Sequence, residues 1–513
     1  MQDKKKLNFL WVSFEDTNPF YGCYDDNVAR TPNLDRLASE GCIWRNTFST
    51  AGVCAPARSA VITGMYPISI GTMHMRTAHT NKYAPELPTP YSAVVPHYVK
   101  CFSEYLRASG YYCTNNVKTD YQFDPPLTAW DELSNNAHWR NRPDPEQPFF
   151  AVFNPTRTHE SGMWPDKCPK INFDPDDMVL PPYFPDTTKV REAMARMYTN
   201  IEHNDRYLGE ILDQLEEDGL AENTVVFHWS DHGPLPRGKR WPYDSGIHVP
   251  MIVRWPGNIE PGSFNERLIS TVDLGPTVLS LAGIKIPRHI QGQAFLGEQE
   301  APPREYVYAS RDRYDESYDM IRAVRDKRFK YIRHYYPEKP YLLWIPYRNR
   351  HPILQEMWRL HLAGKLEGPQ KLMFQNRPVE ELYDTLTDPS EISNLADDPA
   401  FKPELDRMRK ALDDWIDDVG DMGKIPESEM VRQWYPDGEK PETASPVFIP
   451  ICEESPGQQA MPEGGKLKFP ILLQFYCATQ GASMAYTFDQ GDNPRWLLYT
   501  KPIELPPGKR VIR

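Results

Sequence analysis

The sequence predicts an α/β fold in which helices cover both faces of a mostly parallel β-sheet, followed by a smaller α+β subdomain and a β-rich tail. Three observations carry this prediction. Short apolar runs alternate with helical patterns over residues 1–301, two alternating strands and a helix follow within 302–445, and residues 446–513 show strand patterns with scarcely any helical period. We therefore expect three units with these boundaries.

The first predicted unit is a strand followed by a helix. The run "KLNFLWVSF" is nearly all apolar, as expected of a central strand covered on both faces, and Glu15 and Asp16 follow it. In "RTPNLDRLASEG", Thr31 is placed to cap a helix, Pro32 to begin it and Gly41 to end it. This order predicts the first β-α step of the sheet.

The same alternation continues along the chain. The segments are "EYLRASGYYCT" (helix into strand), "PFFAVFNP" (strand), 190–215 (a long amphipathic helix), "NTVVFHWSDHG" (strand), "VPMIVRWPG" (strand) and "TVDLGPTVLSLAG" (helix). In such a sheet, ligands bind outside the carboxyl ends of the strands, so we expect Asp16 and Asp231 to lie together.

The segments after residue 301 have a different pattern of apolar residues. The run "MIRAVRDKRFKYIRHYY" predicts two strands and "ELDRMRKALDDWIDDVG" predicts one helix. In the tail, "KFPILLQFYC", "ASMAYTF" and "RWLLYT" predict strands joined by turns. The final "PPGKRVIR" stops where another strand would begin, which predicts a truncated module that packs against the rest of the protein rather than binding sugar on its own.

Charge and cysteine usage exclude several classes of function. A formal net charge of −13 disfavours nucleic-acid and anionic membrane surfaces as partners, because those require a basic face. No apolar run reaches the length of a membrane span. The eight cysteines are scattered without zinc-ligand or disulfide-scaffold spacing, so most are expected to be buried as small apolar side chains.

Cys54 is the exception, because it lies in "TAGVCAPARSAVITG". A loop of small residues (49–52) precedes it, and Pro56 is placed to start a helix. Cys54 is therefore expected at a helix N-terminus. Free backbone N–H groups there attract anions and favour a reactive, deprotonated thiol, and Arg58 adds positive charge one turn on. The alternative is a buried structural cysteine with Arg58 at the surface.

Acidic residues recur after two predicted strands. Glu15 and Asp16 follow the first strand, and Asp231 and His232 follow "TVVFHW" in the same relation. Taken singly, each pair is more typical of a turn or a cap than of a metal site. Together, three converging carboxylates require compensation, and a hard divalent cation such as calcium or magnesium supplies it.

Three further residues are candidates for this edge of the sheet. Lys118 follows a predicted strand, Lys239 lies in a glycine-containing loop, and both are otherwise read as solvated charges. His159 lies just after "PFFAVF", where this architecture carries its chemistry, and a histidine beside an anion can act as a general acid.

At this point the chain resembles a known family, the type I sulfatases of the alkaline-phosphatase-like superfamily. The segment "CAPAR" fits their CxPxR signature, and "ARTPNLDRLASEG", "SDHG", the Gly238-Lys239 pair and "ELYDTLTDPSEISNLA" are similar as well, over about residues 7–420. "IGTMHMRT", "KTDYQF" and "SRDRYDESYDMIRAVRD" are most similar to the N-sulfoglucosamine sulfohydrolase-like branch.

The resemblance implies an alkaline-phosphatase-like catalytic domain at 1–301 and assigns roles to residues. Cys54 would be oxidised to formylglycine by a separate formylglycine-generating or anaerobic sulfatase-maturating enzyme. The implied calcium ligands, magnesium being the alternative ion, are Glu15, Asp16, Asp231, His232 and residue 54 itself. The implied ligands of formylglycine and sulfate oxygens are Arg58, Lys118 and Lys239, with His159 as proton donor to the leaving group. The family often has histidine two residues after this lysine, whereas this chain has Asp120, so the role of Asp120 stays open.

The family's chemistry explains why a cysteine stands at position 54. A hydrated aldehyde there presents two hydroxyls, of which one attacks sulfur and the other, once deprotonated, lets the sulfated diol collapse and release sulfate. Cysteine is then the precursor of the nucleophilic group and not the nucleophile itself.

The sequence gives weaker signals for the residues that recognise the substrate. Polar residues that would contact sugar hydroxyls or a carboxylate are His74, Arg76, Arg157, Arg311, Asp312 and Asp315, each read equally as a structural ion pair.

The leading hypothesis is a calcium-dependent sulfatase acting on a sulfate ester or sulfamate of a sulfated saccharide, such as a glycosaminoglycan or another sulfated polysaccharide fragment. The alternatives are a phosphonate monoester or phosphodiester hydrolase and a catalytically silent saccharide-binding relative. We expect a periplasmic or secreted mature form without its signal peptide, with a cytoplasmic location left open.

Overall fold

The computed structural model describes residues 5–453 and 465–513, and its main feature is an eight-stranded sheet. The strands of this sheet, in chain order, are β1 (Asn8–Phe14), β2 (Cys42–Phe48), β3 (Tyr112–Asn116), β4 (Glu132–Leu133), β5 (Phe149–Phe153), β6 (Thr224–Ser230), β7 (Met251–Arg254) and β8 (Ser263–Ser270). Their spatial order is β4-β3-β5-β1-β6-β7-β2-β8, and every strand is parallel to the others except β7. The predicted mostly parallel sheet is confirmed.

Helices lie on both faces of this sheet. The helices of the described residues are α1 (Pro32–Glu40), α2 (Cys54–Thr63), α3 (Pro67–Ile70), α4 (Phe102–Ala108), α5 (Thr188–Glu217), α6 (Asp244–Ile247), α7 (Leu274–Leu281), α8 (Pro352–Leu362), α9 (Lys402–Val419) and α10 (Glu427–Trp434). Alternate residues of β1 enter different cores: Leu10 and Val12 pack with α1 and α5, while Phe9 and Trp11 pack with α4 and α7. Burial on both faces explains why the strand reads as a continuous apolar run.

The predicted helix starts are met with two differences. Helix α1 begins at Pro32 and ends before Gly41, as expected, but the Thr31 side chain at the N-cap position makes no capping hydrogen bond. Helix α2 begins at Cys54, two residues before Pro56, so the cysteine is itself in the first helical turn. A proline is tolerated there because the N–H groups of the first turn have no partner within the helix.

The second subdomain is built on a four-stranded antiparallel sheet. Its strands are β9 (Val307–Arg311), β10 (Ile321–Arg325), β11 (Phe329–His334) and β12 (Glu380–Asp384), in the order β12-β11-β10-β9. Helix α9 covers one face, where Leu405, Met408 and Leu412 meet Val324 and Tyr331. The two strands and the helix predicted here are confirmed, while the boundaries at 301 and 445 stay predictions.

The tail forms two small antiparallel sheets. Their strands are β13 (Val447–Ile451), β14 (Ile471–Tyr476), β15 (Ala485–Tyr486), β16 (Leu497–Leu498) and β17 (Ile503–Leu505). The Lys100 ammonium donates to Ser483 Oγ at 2.9 Å, and Arg107 Nη2 donates to the Trp496 carbonyl at 2.7 Å. These bonds hold the tail against the N-terminal domain. None of the helices in the described ranges is both long and apolar enough to cross a membrane.

Candidate active site

The carboxyl ends of the parallel strands meet at one pocket around Cys54. Glu15 and Asp16 follow β1, and His232 follows β6. The Cys54 Sγ atom lies 3.6 Å from Glu15 Oε1, 3.9 Å from Asp16 Oδ1 and 3.2 Å from His232 Nε2. Asp231, before His232, belongs to the same group of atoms. The structure therefore brings the acidic residues of two separate strands onto one side chain.

The loop before Cys54 is fixed by close backbone packing. The Arg240 N–H donates to the Gly52 carbonyl at 2.6 Å. A Cβ atom at position 52 would lie 2.5 Å from the Trp241 carbonyl oxygen, closer than any side chain tolerates. Glycine at this position lets the Cys54 loop and the loop that carries Lys239 approach each other.

Four of these residues could hold one metal ion. Asp16, Cys54, Asp231 and His232 each offer a ligand atom, and these atoms lie within 4.8 Å of one another. His232 donates from Nδ1 to the Gly233 carbonyl at 3.0 Å, and its Nε2 faces the pocket, 3.2 Å from Cys54 Sγ. Carboxylate oxygens are the ligands that calcium and magnesium prefer, so the donor set fits a hard divalent cation.

Cations of the chain face each of the three buried carboxylates. The contacts are Lys118 with Glu15, Lys239 with Asp16, and Arg58 Nε with Asp231 Oδ2 at 2.9 Å. Although burial opposes ionisation, His232 and Arg58 hold the pKa of Asp231 well below its usual range. The pocket is thus a dense cluster of paired charges.

Arg58 has one donor left over. Its side chain is buried, and Nη1 donates to Asn154 Oδ1 at 3.2 Å, but Nη2 has no hydrogen-bond partner. Because buried N–H groups are nearly always paired, this nitrogen indicates a place for an anionic oxygen. The sequence analysis did not single out Asn154, although its position directly after β5 was a usable signal.

The thiol of Cys54 is neutral in this environment. Burial raises its pKa well above the ordinary value, and the opposing effect of Lys118 and Lys239 is smaller. The expectation that the helix N-terminus favours a deprotonated thiol is wrong, because desolvation outweighs the helix and the lysines. A neutral, enclosed thiol is consistent with cysteine as a precursor.

His159 lies at the edge of the pocket and contacts Lys239. Its Nδ1 lies 2.9 Å from Ser161 Oγ, and its Nε2 lies 3.3 Å from Lys239 Nζ. Burial, and then the charge of Lys239, lowers the pKa of His159 to about 3. The imidazole is therefore neutral here and gains a proton only when negative charge enters the pocket.

Asp120, the residue that departs from the family pattern, contacts the same lysine that contacts Glu15. Its Oδ2 lies 3.5 Å from Lys118 Nζ, and its side chain is about one-third exposed. The carboxylate occupies the mouth of the pocket without reaching Cys54 in any described contact.

A series of buried ion pairs, which we call the ion chain, links Lys239 to the pocket mouth. Lys239 Nζ lies 3.3 Å from Glu160 Oε1, and Arg240 donates to both oxygens of Glu160 at 3.0 and 2.9 Å. Arg240 Nε lies 3.4 Å from Asp315, whose other oxygen lies 2.9 Å from Arg76 Nε. The sequence analysis missed Glu160 and Arg240, although each directly follows a predicted site residue.

The ion chain is also conformationally unusual. Several of its members and neighbours have positive φ, namely Asp16 (49°), Arg76 (57°), Arg240 (76°) and Asp315 (53°). Non-glycine residues adopt this conformation rarely and at a cost, and they cluster at functional sites.

The residues predicted to contact the substrate differ in their exposure to solvent. Arg76 is 43% exposed, stands over the Tyr347 ring and follows Met75, which packs against Cys54. Arg157 is exposed on the loop before His159. His74 and Asp312 are buried, and Asp312 is bonded to Arg322. Arg311 is only 1% exposed. Their contact with a saccharide stays a prediction.

The Sulfatase family model matches residues 7–284 of the chain, and the N-sulphoglucosamine sulphohydrolase C-terminal model matches residues 232–351. Among curated relatives, an ulvan-active sulfatase of Formosa agariphila is 42% identical, covering 99% of this chain and 88% of the relative. The N-sulphoglucosamine sulphohydrolase of Homo sapiens is 28% identical over 87% of this chain and 95% of its own.

Solved structures have the same fold. A sulfatase structure from Bacteroides fragilis superposes with a TM-score of 0.61 at 20% identity, covering 84% of this chain and 99% of that one. The phosphonate monoester hydrolase of Agrobacterium radiobacter superposes with a TM-score of 0.58 at 17% identity, covering 82% and 97%. The predicted alkaline-phosphatase-like architecture is confirmed. With a family model matched over more than half of its length and a close relative along nearly all of it, the chain belongs to the sulfatase family.

Proposed function

We propose that this sulfatase removes sulfate from a sulfated saccharide, using a formylglycine made from Cys54 beside a calcium ion. The observation that carries the proposal is the enclosure of Cys54 Sγ by Glu15, Asp16 and His232 at 3.2–3.9 Å. Calcium bound there would polarise an oxygen of the reacting group and stabilise its charge. The carboxylate-rich donor set favours calcium over softer metals.

The chain's own cations are arranged to bind the sulfuryl oxygens. Arg58 Nη2 has no partner within the protein and is held in place by Asp231 and Asn154. The ammonium groups of Lys118 and Lys239 contact Glu15 and Asp16, respectively, the two carboxylates that follow β1. Fixed positive charge in a desolvated pocket stabilises the charge that develops on sulfate as its bond breaks.

His159 is the proton donor in this proposal. Its Nε2 faces Lys239 at the pocket edge, where the leaving oxygen or nitrogen would emerge. A bound sulfate group places negative charge beside the imidazole and raises its pKa from the low value of the empty pocket. The proton is then available for the departing alcohol or amine.

A saccharide substrate is supported by the relatives. Those at 42% and 28% identity are named for activity on ulvan and on N-sulphoglucosamine. Arg76, exposed beside Cys54 and held by Asp315, is the residue we propose to contact a hydroxyl or an acidic group of the sugar. We also propose maturation by a formylglycine-generating or anaerobic sulfatase-maturating enzyme, and a periplasmic or secreted location suited to polysaccharide substrates.

The second candidate is a phosphonate monoester or phosphodiester hydrolase, which the fold similarity to the Agrobacterium radiobacter enzyme favours. Matured enzyme should be assayed on matched sulfate-ester, sulfamate and phosphodiester substrates, including defined sulfated mono- and disaccharides, with Cys54→Ala as control. We expect sulfate release from a saccharide and none from the control. Faster turnover of the phosphodiester, or full activity of Cys54→Ala, would refute the proposal.

The modification has its own test. Mass spectrometry of the peptide that contains Cys54, from protein made in its native host, should show the conversion of the thiol to an aldehyde. A thiol that is never converted would instead favour the silent saccharide-binding relative.

A further inference from the structure

Two arginines, one at the end of β9 and one shortly before α8, are buried without partners for most of their donors. Arg311 and Arg348 are each 1% exposed. All three guanidinium nitrogens of Arg311, and Nε and Nη1 of Arg348, have no hydrogen-bond partner. Arg322, on the strand beside Arg311, is as deeply buried, yet its guanidinium is bonded to Asp312 and Asp421. The fold can therefore pair a buried guanidinium, and it leaves these two unpaired.

Arg311 stacks on Trp241 together with Arg377, and Arg348 is close enough to Arg240 and Arg311 to be affected by their charges. The Arg311 guanidinium carbon lies 4.1 Å from the centroid of the Trp241 ring, and that of Arg377 lies 5.2 Å from it. Tyr341 packs on the same ring at 5.4 Å, and Arg348 Nη2 donates to the Leu343 carbonyl two residues further on. We call Arg240, Arg311, Arg348 and Arg377 the buried cationic cluster.

Positive charge exceeds negative charge in this cluster. Four guanidiniums face three carboxylates, those of Glu160, Asp315 and Asp319. Two of these carboxylates are shared, because Glu160 also contacts Lys239 and Asp315 also contacts Arg76. The remaining carboxylate, Asp319, bonds Arg377 at 2.7 Å through one oxygen only. Isolated charges in a protein interior are expensive, so the excess requires compensation.

Burial and the surrounding charges both shift the pKa values of the two arginines. Burial, and then the positive charges of Arg240 and Arg311, lowers the pKa of Arg348 to about 9. Burial, which Asp319 opposes only in part, lowers the pKa of Arg311 to about 10. Both guanidiniums stay protonated at neutral pH, so the positive charge remains to be balanced.

Around the buried cationic cluster, hydrogen-bond donors without partners also outnumber acceptors without partners. His351 accepts the Ile353 N–H on Nδ1, so its Nε2 carries the proton, and that nitrogen is buried without a partner. Among the carboxylates that face the cluster, Asp319 Oδ2 is a buried oxygen without a hydrogen bond, and it lies 3.3 Å from Arg311 Nε. A water molecule would bring two donors of its own into a space already rich in them, whereas an anion only accepts.

We propose that the buried cationic cluster binds a small monovalent inorganic anion, chloride in solution, between the guanidiniums of Arg311 and Arg348. This site is separate from the sulfate pocket, and its ligand is retained independently of turnover. By balancing the positive charge of Arg348, the anion also helps to fix the position of the adjacent residue Tyr347. The Tyr347 ring lies 5.3 Å from the Arg76 guanidinium and 6.1 Å from the His159 ring.

Bromide is the direct probe, because it replaces chloride and scatters anomalously. Crystals of the full chain, grown without saccharide and soaked in sodium bromide, should show an anomalous peak within about 3.5 Å of nitrogens of both Arg311 and Arg348. In solution, replacing gluconate by chloride at constant ionic strength should raise the melting temperature by about 2 °C or more, because the anion binds the folded state alone.

The solution measurement needs two variants. Arg348→Met should lose the chloride-dependent rise in melting temperature, while Arg254→Gln, which removes an arginine paired with Glu40 at the end of β7, should keep it. The bromide experiment stands on the wild-type protein if Arg348→Met does not fold. Ordered water in place of bromide, an anomalous peak elsewhere only, or equal melting temperatures in chloride and gluconate would overturn the proposal.

Discussion

Replacing Glu160 by glutamine tests whether the ion chain positions Lys239, the lysine that we propose to bind sulfate. Glu160 is the carboxylate that contacts both Lys239, at 3.3 Å, and Arg240, at 3.0 and 2.9 Å. Against the effect of burial, Arg240 and Lys239 hold the pKa of Glu160 well below its usual range, so the carboxylate is ionised. The amide keeps the shape of the side chain, and the backbone N–H that donates to Asp16 at 2.7 Å is untouched.

The expected magnitude follows from the burial of the pairs. Removing one partner of a buried ion pair costs about 3–5 kcal/mol, because the remaining charge is left uncompensated. We therefore expect the melting temperature of Glu160→Gln to fall by about 5 °C or more. A displaced Lys239 should also lower kcat/KM for a sulfate ester by about 10–100-fold, the usual effect of losing a residue that orients an active-site group.

Both quantities are measured on matured protein, by thermal unfolding and by initial rates of sulfate release. Glu217→Gln is the control, since its pair with Arg140 is largely exposed and its loss should change stability by less than about 0.5 kcal/mol. Glu160→Asp should recover part of the lost rate. Wild-type melting and wild-type kinetics in Glu160→Gln would refute a positioning role for the ion chain.

Three further outcomes follow from the same geometry. Arg58→Lys should lower kcat/KM about 100-fold or more, because one ammonium nitrogen cannot occupy the separate positions of Nε, Nη1 and Nη2 that face Asp231, Asn154 and sulfate; unchanged kinetics would contradict this role. Chelation with EDTA should abolish sulfate release and lower the melting temperature, with both restored by millimolar calcium, and an unaffected protein would contradict the metal site. Burial raises the pKa of Glu391 from 4.5 to about 7. Between pH 4.5 and pH 7 the folded protein therefore binds one more proton at Glu391 than the unfolded chain does. This protonation stabilises the fold by about 3 kcal/mol below pH 4.5, and the stabilisation is lost as the pH rises through 7. The melting temperature of Glu391→Gln relative to wild type should accordingly rise between pH 5 and pH 8, and a constant difference would count against the shifted pKa.

The order of the main elements was predictable because their sequence signals are local. The apolar run of β1 and the Thr31, Pro32 and Gly41 signals of α1 each lie within a few residues, and the structure has both elements where they were expected. The meeting of Glu15 and Asp16 with the residues after β6 was predictable because parallel strands present their carboxyl ends at one edge.

Other features depend on contacts that no local pattern reports. The antiparallel direction of β7 follows from how the chain returns to the sheet, and its apolar run reads like that of a parallel strand. The neutral thiol of Cys54 results from complete desolvation, which overrides the local helix N-terminus. Glu160 and Arg240 looked like ordinary charged loop residues, and only the assembled fold turns them into a buried series of pairs.

The enclosure of Cys54 sets a limit on when that side chain can be altered. The residue is 2% exposed and stands behind two carboxylates and an imidazole. A second protein large enough to oxidise it could not insert its own reactive groups through that wall. The conversion that we propose for this thiol would therefore have to take place on the nascent or still-open polypeptide, before the residues after β1 and β6 close around it.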